Sequence, residues 1–492
     1  MKIDKKRIGG ASADAILLTI IKLITAAMGL VVSRLLSEHL AVRDYGTYSQ
    51  MLLLVSSISA VTIFGMMDGV NFFYATKKET GEQESYIATM FALQVTVSTV
   101  AGIMVLAFTS PLVRYFNNKE LAPILIFAAV LPFLQNIMFM SQALFVAVGK
   151  ARLLAYRNFV VSLIRLVVVY IVAMLVPNIT IVLTTSAVLD IGQIMFFWIV
   201  LNKNGCYIRL RRIQPKLIKN ILRYCTPMAV YIMINSLNRD LDKYLVSLVT
   251  DTETLALYAN ASKQLPFDIL MSSFCTVLVP YITRYISEKK NDMASNTYKL
   301  FLEITYISTG ILCCAALASA PQFMKLLYSN KYTAGLAIFC VYILVDLVKF
   351  TNITLVLTAA GKTRWLMTLG FATIGLNAVL NVICYKLMGL IGPAIATLAT
   401  TALMGLLMMI CNAKVLNTRL SAFFDLKYMV VFVLESVALT FALSALRDTL
   451  DRLDVHYFII VVLIACLYIL TMFLLNGKRL IKDMRKVSRM SI

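Results

Sequence analysis

The chain is 492 residues long, 60% hydrophobic and only 14% charged, against about 25% charge in ordinary soluble domains. Its mean hydropathy of +0.82 leaves too few polar groups to cover a water-facing surface, which excludes a soluble enzyme. The net charge of +21 would suggest nucleic acid in a soluble protein, but in a polytopic membrane protein it reflects basic cytoplasmic loops, so no nucleic-acid partner is expected.

From the N-terminus, a basic stretch at 1–7 precedes an apolar segment at 14–37. That segment is too long for a signal-peptide core and contains Lys22 and Arg34, so it reads as an uncleaved first span. Apolar segments follow at 46–74, 87–110, 121–148, 153–176 and 179–201, the last two divided at the turn signal Pro177-Asn178. After a basic stretch at 203–223 come 224–249, 255–282, 300–320, 333–358, 365–387, 390–411, 427–446 and 456–475. A transmembrane helix needs about 20 residues, and these runs are long and do not alternate. In lipid every backbone group must be satisfied internally. The prediction is an all-α polytopic membrane protein with about 14 transmembrane helices.

Of the 46 Lys and Arg residues, 31 fall in the segments on the side that holds both termini and 8 on the other side. That asymmetry predicts cytoplasmic termini and an even number of spans.

An internal echo sets Gly149-Lys150-x-Arg152-x-Leu154 against Gly361-Lys362-x-Arg364-x-Leu366, an offset of 212. A weaker one sets Tyr48 against Tyr258, an offset of 210. Nearly equal offsets at equivalent span positions predict a six-helix duplication, an arrangement that transporters use. The expected division is 1–210 and 211–423 for two pseudo-symmetric six-helix lobes. Residues 424–492 then hold helices 13 and 14 and a basic tail.

Charges inside spans are costly and normally face a cavity or a partner. The cations concentrate in the helices that open each lobe: Lys22 and Arg34 on span one, Arg239 and Lys243 on span seven, Lys263 on span eight. Arg239 and Lys243 are four apart and share a helix face, with Asp242 between them. Arg165 lies on span five, and Asp346 and Lys349 are spaced as a pair on span ten. Arg34, near the outer end of its span, also fits a residue snorkelling to the interface. Asp68 and Asp190 suit either ion coupling or burial as partners of cations, as does Glu435, and Asp268 is a further acid inside a span. A cavity lined mainly by cations suits an anionic group such as a diphosphate.

Other chemistry lacks its residues. Gly361-Lys362-Thr363 has Val356 where a P-loop needs its first glycine. His39 and His456 stand apart from any nucleophile, and the nine cysteines form no metal-ligand spacing. Neither an enzyme nor a cofactor or metal is expected.

Four stretches carry a family resemblance. Arg34-Leu35-Leu36 followed by Asp44-Tyr45-Gly46-Thr47-Tyr48 resembles the junction of spans one and two in polysaccharide flippases. Tyr224 to Pro227, then Arg239 to Tyr244, resembles their span-seven pattern. Leu257-Tyr258-Ala259-Asn260-Ala261-Ser262-Lys263 is similar to the start of their span eight, and Gly389 to Thr397 resembles the glycine-rich start of span twelve. The chain thus resembles Wzx-type oligosaccharide flippases, in the superfamily shared with multidrug antiporters and the lipid II flippase.

The resemblance implies alternating access by two six-helix lobes in a bacterial inner (plasma) membrane. It implies transfer of an undecaprenyl-diphosphate-linked oligosaccharide from the cytoplasmic to the outer leaflet. Membrane lipids and a glycan polymerase or export machinery would be the partners. Arg34, Asp242, Lys243 and Lys263 carry over from the family pattern; Lys22, Arg165 and Arg239 rest on local chemistry. One departure is GMMDGVNFFYA at 65–75, where Asn71 replaces a basic residue often found in the family. The alternatives are an ion-coupled multidrug antiporter, with Asp68 and Asp190 as its acidic site, and a membrane-embedded glycan polymerase or ligase, which the short outer loops disfavour.

Overall fold

The computed structural model describes residues 5–77, 81–351 and 354–490, and the described backbone contains helices and turns but no strand. The first lobe of the sequence division contains α1 (Lys5–His39), α2 (Val42–Thr62), α3 (Met66–Thr76), α4 (Gln83–Ala107), α5 (Thr109–Tyr115), α6 (Leu125–Ala147), α7 (Ala151–Leu175) and α8 (Ile179–Lys203). Next come α9 (Ile218–Val249), α10 (Thr252–Ala261), α11 (Ile269–Ser287), α12 (Asn291–Ala318), α13 (Ala320–Tyr328), α14 (Leu336–Val348), α15 (Leu355–Ala359), α16 (Thr363–Met388) and α17 (Gly392–Val415). The last pair is α18 (Leu426–Arg452) and α19 (Tyr457–Met490).

Every apolar segment read from the sequence falls on one of these helices or on a consecutive pair, and the fold is all-α and polytopic. Among the described residues, eleven stretches are long and apolar enough to cross a membrane, one of them, Arg364–Val415, holding both α16 and α17. Two predicted segments lie outside that set for a physical reason. On α9, Arg239, Asp240, Asp242 and Lys243 interrupt the apolar run, and the eighth segment is divided between α10 and α11. Large apolar side chains face outward, such as Phe441 at 73% and Leu474 at 72% exposed. Such exposure is tolerable only against lipid.

Three predicted spans are broken rather than continuous. The second turns at Phe64 and Gly65, with φ of 45° and 66°; Gly65 supplies a left-handed conformation that a side chain would strain. The eighth leaves the α-helix at 262–265 and passes through a 3-10 turn at 266–268, where Pro266 withholds a backbone donor. The tenth ends its long helix at Val348 and resumes at Leu355. Backbone freed inside a membrane must find partners, and Asp346 supplies one: its Oδ2 accepts the Leu265 N–H at 2.9 Å while its Oδ1 holds Lys349 at 2.8 Å. The predicted Asp346–Lys349 pair is therefore also a tie between two broken spans.

The chain divides into two compact units, one of residues 27–259 and one of 1–26 with 260–492. In the first, Phe73, Met90, Leu144, Phe145, Phe197 and Cys225 belong to one buried cluster, and Met51, Phe116, Leu125 and Leu183 to another. In the second, Tyr298, Phe301 and Phe423 pack together, and Phe432, Ile464 and Tyr468 join α18 and α19 to α12.

The sequence division puts α9 in the second lobe, whereas its packing lies within the unit 27–259. The Tyr244 hydroxyl donates to the Leu53 carbonyl at 3.0 Å and shares a hydrogen bond with the Ser57 hydroxyl at 2.7 Å, and the Tyr115 hydroxyl donates to the Tyr244 carbonyl at 3.2 Å.

The α9–α10 corner is also fixed locally. A Cβ at Gly46 would run into the Thr252 carbonyl, so the glycine of the Asp44-Tyr45-Gly46 motif permits close approach of α2 and α10. Gly46→Ala is expected to cost about 1–3 kcal/mol as overpacking and to lower the thermal midpoint of the detergent-purified protein. Gly29→Ala, where an added Cβ meets nothing within 4 Å, should leave it unchanged or raise it.

At the start of α10, Asp251 Oδ1 accepts the Thr254 N–H at 2.7 Å and Oδ2 its hydroxyl at 3.0 Å. The Thr254 backbone bond holds the Asp251 carboxyl below the usual carboxylate range. The cap is therefore complete above about pH 4 and is lost as pH falls through the depressed value. Asp251→Ala should cost about 1 kcal/mol, read as faster amide exchange in 252–256 at neutral pH and no difference in strong acid.

Candidate functional site

On α9, residues 239, 240 and 243 lie within one helical turn of each other, so their side chains can meet. Asp240, 5% exposed, accepts Lys243 Nζ at 2.7 Å and Arg239 Nη2 at 3.3 Å. Ser56 of α2 completes its shell at 3.3 Å, and Arg239 also reaches the Ser236 hydroxyl at 3.3 Å. Two cations thus share one carboxylate, leaving a net positive charge on this face. The Arg239 side chain is 49% exposed, with donors free to turn outward; Lys243 is more enclosed.

Asp242 points elsewhere. It is buried and accepts the Tyr258 hydroxyl at 2.7 Å, which joins α9 to α10. The acid that pairs with Arg239 and Lys243 is Asp240, two residues before Asp242.

A second polar group links α7 and α8. Asp190, 2% exposed, lies 3.7 Å from Arg165 and accepts the Gln193 amide at 3.0 Å. Gln193 in turn binds Arg157, whose guanidinium also reaches Asn158 at 2.6 Å and sits 4.6 Å from the Phe197 ring centroid. The sequence pattern singles out neither Arg157 nor Gln193. The available signal was the i, i+3 spacing of Asp190 and Gln193 on one helix face.

The other predicted residues are more scattered. Arg34 forms a two-pronged pair with Glu38, four residues on, at 3.1 and 3.2 Å. Lys22 is exposed on α1 and has no ion-pair partner among the described residues. Lys263 lies in the unwound stretch after α10, where its N–H bonds the Asn260 carbonyl at 3.2 Å. Lys22 and Lys263 belong to the unit formed by 1–26 and 260–492, whereas Arg34, Arg165, Arg239, Asp242 and Lys243 belong to 27–259. Asp68, half-buried on α3, has no ion pair among the described residues. Glu435 accepts the Asn476 amide at 3.0 Å, and the Asp268 side chain lies outside the described residues.

This arrangement can bind an anion electrostatically. Arg offers a planar fork and Lys a point charge, and both suit phosphate oxygens.

A protein-family profile described as "Polysaccharide biosynthesis protein" matches residues 31–336. No curated protein matches the chain in sequence. Among solved structures, the chain is similar to the lipid II flippase MurJ in its inward closed conformation, with a TM-score of 0.73 at 17% identity, covering 95% of this chain and 100% of that one. It is also similar to an inward-facing multidrug resistance MATE family transporter of the MOP superfamily, with a TM-score of 0.64 at 14% identity and coverage of 82% and 98%. A MOP superfamily transporter from Pyrococcus furiosus gives 0.59 at 13% identity, with coverage of 83% and 95%. At these identities the structural likeness concerns the fold.

Proposed function

Because the chain belongs to the polysaccharide biosynthesis protein family, we propose that it is a flippase for an undecaprenyl-diphosphate-linked oligosaccharide. It moves this substrate from the cytoplasmic to the outer leaflet of a bacterial inner membrane, by alternating access of two six-helix lobes, with both termini cytoplasmic. A glycan polymerase or export machinery would take up the product.

The observation that carries the reading is the α9 face, where Arg239 and Lys243 share the single carboxylate of Asp240. In this proposal their surplus charge holds the diphosphate. Arg165, in the same unit, adds to the cationic lining, and the glycan occupies water. Asp190 tempers Arg165, and Asp68 is the remaining candidate for ion coupling. A cationic drug would meet repulsion at the α9 face.

The test is thermal stabilisation by headgroup. At a hundredfold above its Kd, a ligand that binds only the folded state stabilises by about 2.7 kcal/mol. Undecaprenyl diphosphate should raise the thermal midpoint while undecaprenol leaves it unchanged. Equal shifts from both would remove the diphosphate site from the account.

A further inference from the structure

The connection between α8 and α9 has a two-sided construction that its role as a linker does not require. From 203 to 223 the chain carries seven Lys and Arg and no acid. One side is anchored to the protein. The Gln214 N–H bonds the Thr89 hydroxyl at 3.0 Å and its amide reaches Ser85 at 3.3 Å. Arg212 lies 3.6 Å from Glu84, while Leu217, Cys206 and Ile208 pack into the adjoining core.

The other side is turned outward and mixes apolar with basic groups. Leu210 is 81% exposed at the head of a short 3-10 turn, beside the exposed Arg209 and Arg211. Tyr207 is exposed as well, and the Arg209 guanidinium lies 4.9 Å from its ring centroid. A solvated linker would turn polar groups outward and its leucine inward. Here the leucine that follows Ile208 by two residues faces away from the core.

This connection leaves a membrane-spanning helix at Lys203, so its outward face lies within reach of the headgroup layer. Leucine and tyrosine beside Arg are the residue types that enter the interface while the guanidinium groups meet phosphate. Charge complementarity selects anionic lipid over zwitterionic lipid.

We propose that residues 207–211 form a binding site for acidic phospholipid headgroups, with Leu210 inserted at the acyl boundary and Arg209 and Arg211 on the phosphates. The site holds the connection against the leaflet surface and is separate from the α9 face.

The experiment uses the full chain carrying Trp198→Phe, Trp365→Phe and Leu210→Trp, reconstituted in vesicles that contain brominated phosphatidylglycerol or brominated phosphatidylethanolamine. The expected result is a larger loss of tryptophan fluorescence with the brominated phosphatidylglycerol. That excess should disappear in an Arg209→Gln/Arg211→Gln version. If that version folds poorly, high salt applied to the parent protein should remove the same excess, because surface charge is screened within about 3 Å at 1 M. Equal loss with the two lipids would overturn the headgroup selectivity. Absence of loss in both, with quenching by aqueous iodide, would place the connection in water, open to a protein partner instead.

Discussion

Arg239→Ala/Lys243→Ala protein is expected to reach the membrane and to lose transport of lipid-diphosphate oligosaccharide. Each hydrogen bond from a charged group is worth about 1.5–3 kcal/mol. Losing two at the diphosphate would slow transfer by a hundredfold or more, at about 1.4 kcal/mol per factor of ten. The same change strips Asp240 of both cations and leaves a buried carboxylate with Ser56 alone. An unpaired buried charge costs about 3–5 kcal/mol, so lost transport from the double variant alone could reflect lost fold.

Adding Asp240→Asn separates the two effects. The triple variant should recover thermal stability, since the amide is neutral and still meets Ser56, and it should remain inactive in transport. Asp240→Asn alone should keep transport, because both cations are present and less restrained. A triple variant that transports like the wild type would show that Arg239 and Lys243 serve only to neutralise Asp240.

Arg479→Ala is expected to have the largest effect on stability of any single change outside the α9 face. Arg479 of α19 binds Glu303 of α12 and Asp425 at 2.9 Å, and its guanidinium lies 3.7 Å from the Tyr428 ring centroid. Tyr428 continues the chain to Asn476 at 2.5 Å, and Asn476 to Glu435 at 3.0 Å. One guanidinium thus joins the appended α18–α19 pair to α12. Truncation leaves Glu303, 7% exposed, without this partner. The cost is about 3 kcal/mol, the lower end of the range for a broken buried pair, because Arg479 is itself partly exposed. The thermal midpoint should fall, and Glu303→Gln in the same background should restore part of it.

The Asp425 side of the clasp is pH-sensitive. The Arg479 hydrogen bond holds the Asp425 carboxyl below its usual range. Its contribution is therefore whole above about pH 4 and is lost as pH falls through the depressed value. In Arg479→Ala that acid sensitivity should be smaller.

The helices were legible because apolar length and the cost of bare backbone in lipid leave few alternatives. The broken spans were legible only in part. Gly65 and Pro266 mark two of the breaks, but the tie from Asp346 to the Leu265 N–H joins residues 81 apart, and helical spacing carries no information at that range. Spacing correctly paired Asp346 with Lys349 because that contact lies within one turn.

On α9 spacing narrowed the choice without deciding it. Asp240 and Asp242 are both within a turn of Lys243, and only the neighbouring helices decide which acid faces the cations: Ser56 draws Asp240 to one side, and Tyr258 holds Asp242 on another. Arg157 was hidden for the same reason, since its partner Gln193 is 36 residues away. The hydrogen bonds that hold α9 to α2 are not legible in the charge pattern or the repeat. Those depend on Ser56, Ser57 and the Leu53 carbonyl, groups with no distinctive pattern in sequence.

The most direct test of the proposed function is transfer of a fluorescent undecaprenyl-diphosphate oligosaccharide across proteoliposomes. Outer-leaflet label would be followed over time against protein-free vesicles. Wild-type protein should accelerate transfer, and Arg239→Ala/Lys243→Ala/Asp240→Asn, equally stable, should not. Wild-type vesicles that move the lipid no faster than empty ones, while extruding a cationic dye against an ion gradient, would overturn the flippase proposal.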